Sequence, residues 1–162
     1  MTITAQKILP RAHTGIPGLD DILEGGLARN RLHLLEGTPG AGKTTIALQF
    51  LLAGASVGET GLYVSLAETE EELREGAASH GWRIDERVSI CELVPPESVL
   101  DPDQHQSLLY SSDLELGETV ERMLEAIEKY KPQRIVIDSL SEIRLLAQSS
   151  LRYRRQILAL AG

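Results

Sequence analysis

The sequence predicts an α/β fold, in which helices flank a mostly parallel sheet and the 162 residues form about one domain. Three observations support this fold class. Short apolar runs alternate with longer stretches of helical pattern, a glycine-rich stretch follows the first strand-like run, and the fourth such run ends in an aspartate, Asp138. In sheets of this kind, ligands bind at the carboxyl ends of the strands. The predicted domain covers residues 1–162, with residues 1–10 as a loose leader.

The first half of the chain predicts a short helix followed by two strands with a longer helix between them. Residues 18–23 are predicted as the short helix, which the glycines at 25–26 stop. Residues 31–36 are predicted as the first strand. The helix from residue 43 to about 55 is apolar almost all round, as expected for a helix buried against a sheet and its neighbours. Residues 62–67 are predicted as the second strand.

The second half predicts two more strands, three helices and a long loop. Thr69 and Glu72 have the spacing of a capping box, so a helix is predicted to start here and to run to about residue 79. The polar stretch at 95–116 is predicted as a loop, and a loop of this length is usually functional or mobile. The other predicted elements are a strand at 88–93, an amphipathic helix at 117–131, a strand at 134–138, and a last helix at 151–161 capped by Ser149 or Ser150.

Charge, hydropathy and cysteine content narrow the class of protein. The formal net charge of −8 argues against general binding to nucleic acid or to an anionic membrane surface. The most apolar run, residues 46–55, contains Gln49 and is too short to span a bilayer. Cys91 is the only cysteine, so no internal disulfide can form, which fits a reducing cytosol. We therefore expect a cytoplasmic protein without a membrane partner, and no nucleic-acid partner for this segment.

Residues 37–45 (GTPGAGKTT) follow the pattern G-x-x-x-x-G-K-[ST] between an apolar run and a helix, the context of a phosphate-binding loop. Glycines let the loop turn its N–H groups towards an anion, and the helix N-terminus adds partial positive charge. Lys43 is predicted to reach the β- and γ-phosphates, and the Thr44 hydroxyl to bind Mg²⁺. An ordinary glycine-rich turn with an exposed lysine is the alternative. The residues predicted to bind ATP are Thr38, Pro39, Gly40, Ala41, Gly42, Lys43, Thr44 and Thr45.

Two carboxylates complete the predicted site. Asp138 ends an apolar strand and is predicted to hold Mg²⁺, through a water, opposite Thr44. Its alternative role is to cap the turn that follows. Glu68 and Lys43 are the predicted catalytic residues, and Glu68 is the candidate base that orients and deprotonates an attacking water. The pattern is equally consistent with Glu68 being only an acid that flanks the capped helix.

Three stretches resemble KaiC and other ATPases of the RecA superfamily, namely residues 14–20 (TGIPGLD), 37–45 and 135–139 (IVIDS). The resemblance runs over nearly the whole chain, in the same order. It implies a RecA-like P-loop NTPase core that holds ATP at subunit boundaries and assembles into homo-oligomeric rings or filaments. It also implies a domain that is incomplete at its C-terminus, because family members continue with further strands. One of those strands lies between the strand before the phosphate loop and the strand that ends at Asp138.

One position departs from the family. The second strand there usually ends with an acidic pair, the first member of which is the principal base. This chain has Ala67 followed by Glu68, so only the second acid of the pair remains. The resemblance therefore implies nucleotide binding and leaves efficient hydrolysis open.

The motifs, the charge and the resemblance suggest four candidate functions for this chain. The preferred one is a Mg²⁺-dependent ATPase domain that couples nucleotide state to oligomer assembly or signalling. A regulatory module that binds ATP with little or no hydrolysis is the alternative motivated by Ala67. The acidic charge disfavours a DNA repair or recombination ATPase, and the residues 1–36 that precede the loop disfavour a small-molecule kinase. Self-phosphorylation and the biological pathway, including clock timing, are left open.

Overall fold

A computed structural model of the chain describes residues 10–93 and 108–147. Three parallel strands form a sheet, and a separate pair of two-residue strands runs antiparallel. The elements in chain order are β1 (Arg11–Ala12), α1 (Pro17–Ile22), β2 (Leu27–Ala28), α2 (Lys43–Ser56), β3 (Gly61–Ser65), α3 (Glu70–Ser79), β4 (Val88–Glu92), α4 (Leu108–Tyr130), β5 (Arg134–Asp138) and α5 (Leu140–Ala147). The predicted α/β class with a parallel sheet is confirmed.

The central strand of the sheet is β3, which pairs with β4 on one side and with β5 on the other. All five of its residues are buried, as expected for a parallel strand covered on both faces. Alternate side chains enter two separate clusters. One cluster joins Leu62 and Val64 to α4 and α5, and its members there include Val120, Met123 and Ile143. The other joins Tyr63 to α2 and α3, with Leu48, Leu51, Leu73 and Ala77.

The segment 31–36 is not a strand, so the first predicted strand is wrong in this structure. Its backbone pairs with no strand in the described part of the chain. Leu32, Leu34 and Leu35 are 62%, 72% and 48% exposed. An apolar run raises strand propensity, but a strand exists only where a neighbour accepts its hydrogen bonds. Within the described residues, β5 pairs with β3 alone, and segment 31–36 does not pair with its other edge.

The other differences concern helix boundaries. Helix α4 begins at Leu108, well inside the predicted loop, and Leu116 lies on the same buried face as Val120 and Met123. Polar residues such as Ser111 cost a helix well under 1 kcal/mol each, so the polar stretch did not exclude a helix. Helix α5 and the β1–β2 pair were not predicted. The predicted helix at 151–161, its serine caps and residues 1–9 of the leader lie outside the described residues.

The TGIPGLD stretch forms a folded turn against α2. The Asp20 carboxylate accepts hydrogen bonds from the N–H and the hydroxyl of Thr14, both at 2.8 Å, and from the N–H of Gly15 at 3.2 Å. Gly15 has φ +80°, and a Cβ there would lie 2.9 Å from the Cβ of Ala53. Its carbonyl accepts from Gln49 Nε2 at 2.6 Å. The motif therefore needs a glycine for both its backbone conformation and its close approach to the helix.

A buried arginine ties β5 to α2 and to the N-terminal segment. The side chain of Arg134 is 2% exposed, and its Nε donates to Glu59 Oε2 at 2.6 Å. Its Nη1 donates to the carbonyls of His13 and Phe50 at 2.6 and 2.7 Å. Burial raises the pKa of Glu59, but hydrogen bonds from Arg134 and then Arg29 outweigh it, so the pKa lies below its usual value.

We expect Arg134→Met to lower the free energy of unfolding by about 3 kcal/mol, because it removes a buried charge that three acceptors share. Arg74→Met is the matched control, since Arg74 forms an i,i+4 pair with Glu70 in which both side chains are nearly half exposed. It should cost about 0.5 kcal/mol. Urea denaturation followed by the fluorescence of Trp82, the single tryptophan, measures both. Equal losses in the two variants would show that the Arg134 network does not stabilise the fold.

Candidate nucleotide site

The candidate site lies where the carboxyl ends of β3 and β5 meet the start of α2. The two strands are parallel and in register, with Ser65 opposite Asp138. Helix α2 begins at Lys43, and the hydroxyl of Thr44 in its first turn donates to Asp138 Oδ2 at 3.0 Å. The structure therefore brings together two predicted metal ligands that are 94 residues apart in the chain.

The loop before α2 is exposed and tightly turned. The N–H of Ala41 donates to the carbonyl of Thr38 at 3.2 Å. Gly40 and Gly42 have φ +77° and +84°, and a Cβ at either would meet nothing within 4 Å. These glycines are therefore required for backbone conformation rather than for space. Thr38, Pro39, Gly40 and Ala41 are exposed, and Gly42, Thr44 and Thr45 are half-buried.

The side chain of Lys43 folds back over this loop. Its Nζ donates to the carbonyls of Gly37 and Thr38, each at 3.0 Å. The ammonium therefore lies over the turn that the sequence predicts to surround phosphate. Carbonyl oxygens are neutral acceptors, so an anionic phosphate oxygen offers the ammonium a stronger, charge-assisted partner.

Asp138 receives a second hydroxyl that the sequence did not reveal. The phenol of Tyr63 donates to Asp138 Oδ2 at 2.6 Å, the same oxygen that Thr44 contacts. Burial, and then the hydrogen bond and charge of Asp138, raise the pKa of Tyr63, so its phenol stays protonated. A signal was available, because Tyr63 and Ser65 share one strand face and a buried tyrosine hydroxyl needs a partner.

Glu68 lies in a turn that Ser65 shapes. The Glu68 N–H donates to Ser65 Oγ at 3.1 Å, and the same hydroxyl donates back to the Glu68 carbonyl. Burial, followed by the charges of Asp138 and Glu72, raises the pKa of Glu68, and a hydrogen bond with Thr44 opposes the shift. The charge of Asp138 and the hydroxyl of Thr44 therefore both act on the Glu68 carboxylate, whereas Ala67 is exposed.

The start of α3 does not use Glu68. Thr69 and Glu72 form the predicted capping box, in which each side chain bonds the other residue's backbone N–H. This prediction is confirmed. The cap is complete without Glu68, which weakens the interpretation of Glu68 as an acid that serves the helix.

The donors in this cluster suit magnesium. A hydroxyl and two carboxylates are hard oxygen ligands, and Mg²⁺ is usually held by one or two carboxylates together with waters and substrate phosphates. Within residues 10–93 and 108–147, no three His, Cys, Asp or Glu side chains come together as a metal site. A hydroxyl and carboxylates of this kind fit a metal that is held jointly with phosphates. In the same ranges, no helix is long and apolar enough to cross a membrane.

Comparison with known proteins defines the class. A family model described as "ATPase: KaiC" matches residues 12–162. The chain therefore belongs to the KaiC family of ATPases, a RecA-superfamily P-loop fold. It is 35% identical over 149 residues to the circadian clock oscillator protein KaiC of Thermostichus vulcanus, covering 91% of this chain and 28% of that protein.

Two archaeal proteins are also similar. The UPF0273 protein PH0284 of Pyrococcus horikoshii is 31% identical over 160 residues, which cover 94% of this chain and 65% of that protein. The crystal structure of the KaiC-like protein PH0186 from the same organism superimposes with a TM-score of 0.72 at 29% identity. That match covers 94% of this chain and 63% of the archaeal chain. The chain thus spans little more than a quarter of the clock relative and about two thirds of the archaeal ones.

Proposed function

We propose that this domain binds Mg²⁺·ATP between the start of α2 and the carboxyl ends of β3 and β5, and that it hydrolyses the nucleotide. The observation that carries the proposal is the contact of Thr44 with Asp138, which places a helix N-terminus, a hydroxyl and a carboxylate at one point. Phosphates are favoured there by the helix dipole and by the exposed loop amides. Membership of an ATPase family supports the same ligand.

Binding in this proposal replaces contacts that the protein makes with itself. Lys43 exchanges the carbonyls of Gly37 and Thr38 for the β- and γ-phosphates. The Thr44 hydroxyl would leave Asp138 to bind Mg²⁺, and the Asp138 carboxylate would help to hold the ion beside it. The metal supplies charge neutralisation of the phosphates. Thr38, Pro39, Gly40, Ala41, Gly42 and Thr45 complete the loop around the phosphates.

Glu68 is the proposed base. Its turn at the end of β3 is held by Ser65, and the charge of Asp138 and a hydrogen bond with Thr44 both act on its carboxylate. The carboxylate takes a proton from the attacking water, the water oxygen bonds to the γ-phosphorus, and ADP leaves as the bridging bond breaks. Hydrogen-bond reach to a bound water is what this role requires of a base.

A regulatory module with little turnover is the second candidate. Ala67 stands, exposed, where the resemblance leads us to expect the principal acid. A domain that keeps the loop, Thr44 and Asp138 but has a single remaining acid can bind ATP and change conformation without rapid hydrolysis. The two candidate functions share the binding site and differ only in whether Glu68 acts as a base.

The wider setting is part of the proposal. We infer a cytoplasmic homo-oligomer, a ring or filament, in which nucleotide state controls assembly or signalling. The family membership and the resemblance support this inference. A net charge of −8 disfavours DNA as a partner of this domain.

We expect Lys43→Ala to weaken Mg²⁺·ATP binding roughly 10- to 100-fold or more, because an ammonium bonded to phosphate is lost. Titration calorimetry measures the affinity. Lys129→Ala is the matched control, since Lys129 lies over the Tyr130 ring at the end of α4. It should bind as the parent does. If Lys43→Ala bound ATP as tightly as the parent, the loop would not be the phosphate site.

We expect Glu68→Gln to slow phosphate release at saturating Mg²⁺·ATP by about 100-fold or more while leaving ATP affinity within about twofold. Ala67→Glu should raise the rate by restoring the expected acid. Glu71→Gln, an exposed acid in the first turn of α3, is the control and should change nothing.

The phosphate-release rates of the parent and these variants distinguish the two candidate functions. A measurable parent rate that Glu68→Gln leaves unchanged would exclude Glu68 as the base. A parent that binds ATP, releases no phosphate and gains activity only with Ala67→Glu would establish the regulatory module instead.

A further inference from the structure

Tyr63 combines complete burial with a polar contact at the site. Its side chain is 0% exposed, and its hydroxyl donates to Asp138 Oδ2 at 2.6 Å. The ring belongs to the cluster formed with α2 and α3, which also contains Leu48, Leu51 and Leu73. The hydroxyl is therefore held by close-packed core side chains rather than by a loop.

The sheet register explains how the hydroxyl reaches Asp138. Tyr63 lies opposite Val136, and Ser65 lies opposite Asp138 on the neighbouring strand. Tyr63 and Asp138 are therefore diagonal neighbours on one face of the sheet, a separation that a tyrosine can bridge and a shorter side chain cannot. This contact is set by the register of β3 and β5 and by the core in which the ring is buried.

Two hydroxyls share one carboxylate oxygen. Thr44 Oγ1 and Tyr63 Oη both donate to Asp138 Oδ2. In the proposed function, Thr44 would leave Asp138 when metal and nucleotide bind. Because the Tyr63 ring is buried in the core, its hydroxyl could keep its bond to Asp138 through that exchange. A carboxylate that keeps a fixed donor on one oxygen loses less freedom when it takes up a further ligand.

We propose that Tyr63 is a positioning residue, whose hydroxyl fixes the orientation in which Asp138 supports Mg²⁺ beside bound nucleotide. The inference rests on the proposed function. Tyr63 contacts neither nucleotide nor metal in this role. It acts through Asp138, so its loss changes the contribution of the metal to binding and leaves the contacts of the loop with phosphate intact.

Tyr63→Phe isolates this role, because it removes only the hydroxyl and keeps the ring in the core. The matched control is Thr14→Val, which removes another buried hydroxyl bonded to a carboxylate, that of Asp20 at 2.8 Å. Thr14 belongs to the N-terminal turn against α2 and not to the nucleotide site. Any general effect of losing a buried hydroxyl–carboxylate bond therefore appears in both variants.

The readout is the factor by which Mg²⁺ tightens ATP binding, taken as the ratio of the dissociation constants in EDTA and in Mg²⁺ by calorimetry. We expect Tyr63→Phe to reduce this factor about 3- to 10-fold, as for loss of one hydrogen bond to a charged group, with affinity in EDTA within about twofold. Thr14→Val should leave both values unchanged.

An unchanged Mg²⁺ factor in folded Tyr63→Phe, or an equal fall in Thr14→Val, would overturn the inference. Circular dichroism reports folding. If Tyr63→Phe does not fold, 3-fluorotyrosine placed at position 63 replaces it. Its ¹⁹F resonance should shift when Mg²⁺ joins ATP, and a resonance that ignores Mg²⁺ would refute the positioning role. A parent that binds no ATP in Mg²⁺ or EDTA contradicts the proposed function itself, so the two failures are distinguishable.

Discussion

The pairing of β3 with β5 is the constraint on which the candidate site depends. These strands come from distant parts of the chain and lie parallel, with Gly61 opposite Arg134 and Ser65 opposite Asp138. A slip of one residue would turn Asp138 to the other face of the sheet, towards α4 and α5, away from Thr44 and Tyr63. Burial of alternate β3 side chains in two different clusters opposes such a slip. The core thereby sets the geometry of a polar site at its edge.

Helix α2 connects the site to the rest of the fold. Its first turn carries Lys43 and Thr44, and its later turns are held by the N-terminal motif and by Arg134. Arg134 begins β5 and Asp138 ends it, so one strand contacts α2 at both of its ends. The stretch at 14–20 that carries part of the family resemblance packs against the middle of α2, at Gln49 and Ala53. Its contacts with Gln49 and Ala53 stabilise the helix on which the loop is mounted.

The elements that the sequence predicted correctly are those determined by residues close together in the chain. The helix after the phosphate loop, the capping box at Thr69 and the strand ending at Asp138 agree with the structure within a few residues. The segment 31–36 failed as a strand because pairing depends on a neighbour that its own sequence does not specify. The β1–β2 pair has two residues in each strand, too few to show periodicity. The start of α4 was missed because a polar surface pattern does not by itself exclude a helix.

The candidate site likewise has parts that the sequence reveals and parts that only the structure reveals. Its residue types, including the loop glycines, Lys43, Thr44 and Asp138, are visible as motifs because phosphate and Mg²⁺ chemistry demands them at fixed spacings. The bond of Arg134 to Glu59 is not visible, because it joins residues 75 positions apart through tertiary packing. For Tyr63, the sequence indicates only that a buried hydroxyl needs a partner, and strand register selects Asp138 as that partner. Such contacts require the structure.

A crystal structure of the protein with Mg²⁺ and a non-hydrolysable ATP analogue tests the central claim most directly. We expect the phosphates in the loop, Lys43 Nζ moved from the Gly37 and Thr38 carbonyls to the phosphates, and Thr44 moved from Asp138 to the metal. An analogue bound elsewhere at saturating concentration, with those three hydrogen bonds unchanged, would contradict the account.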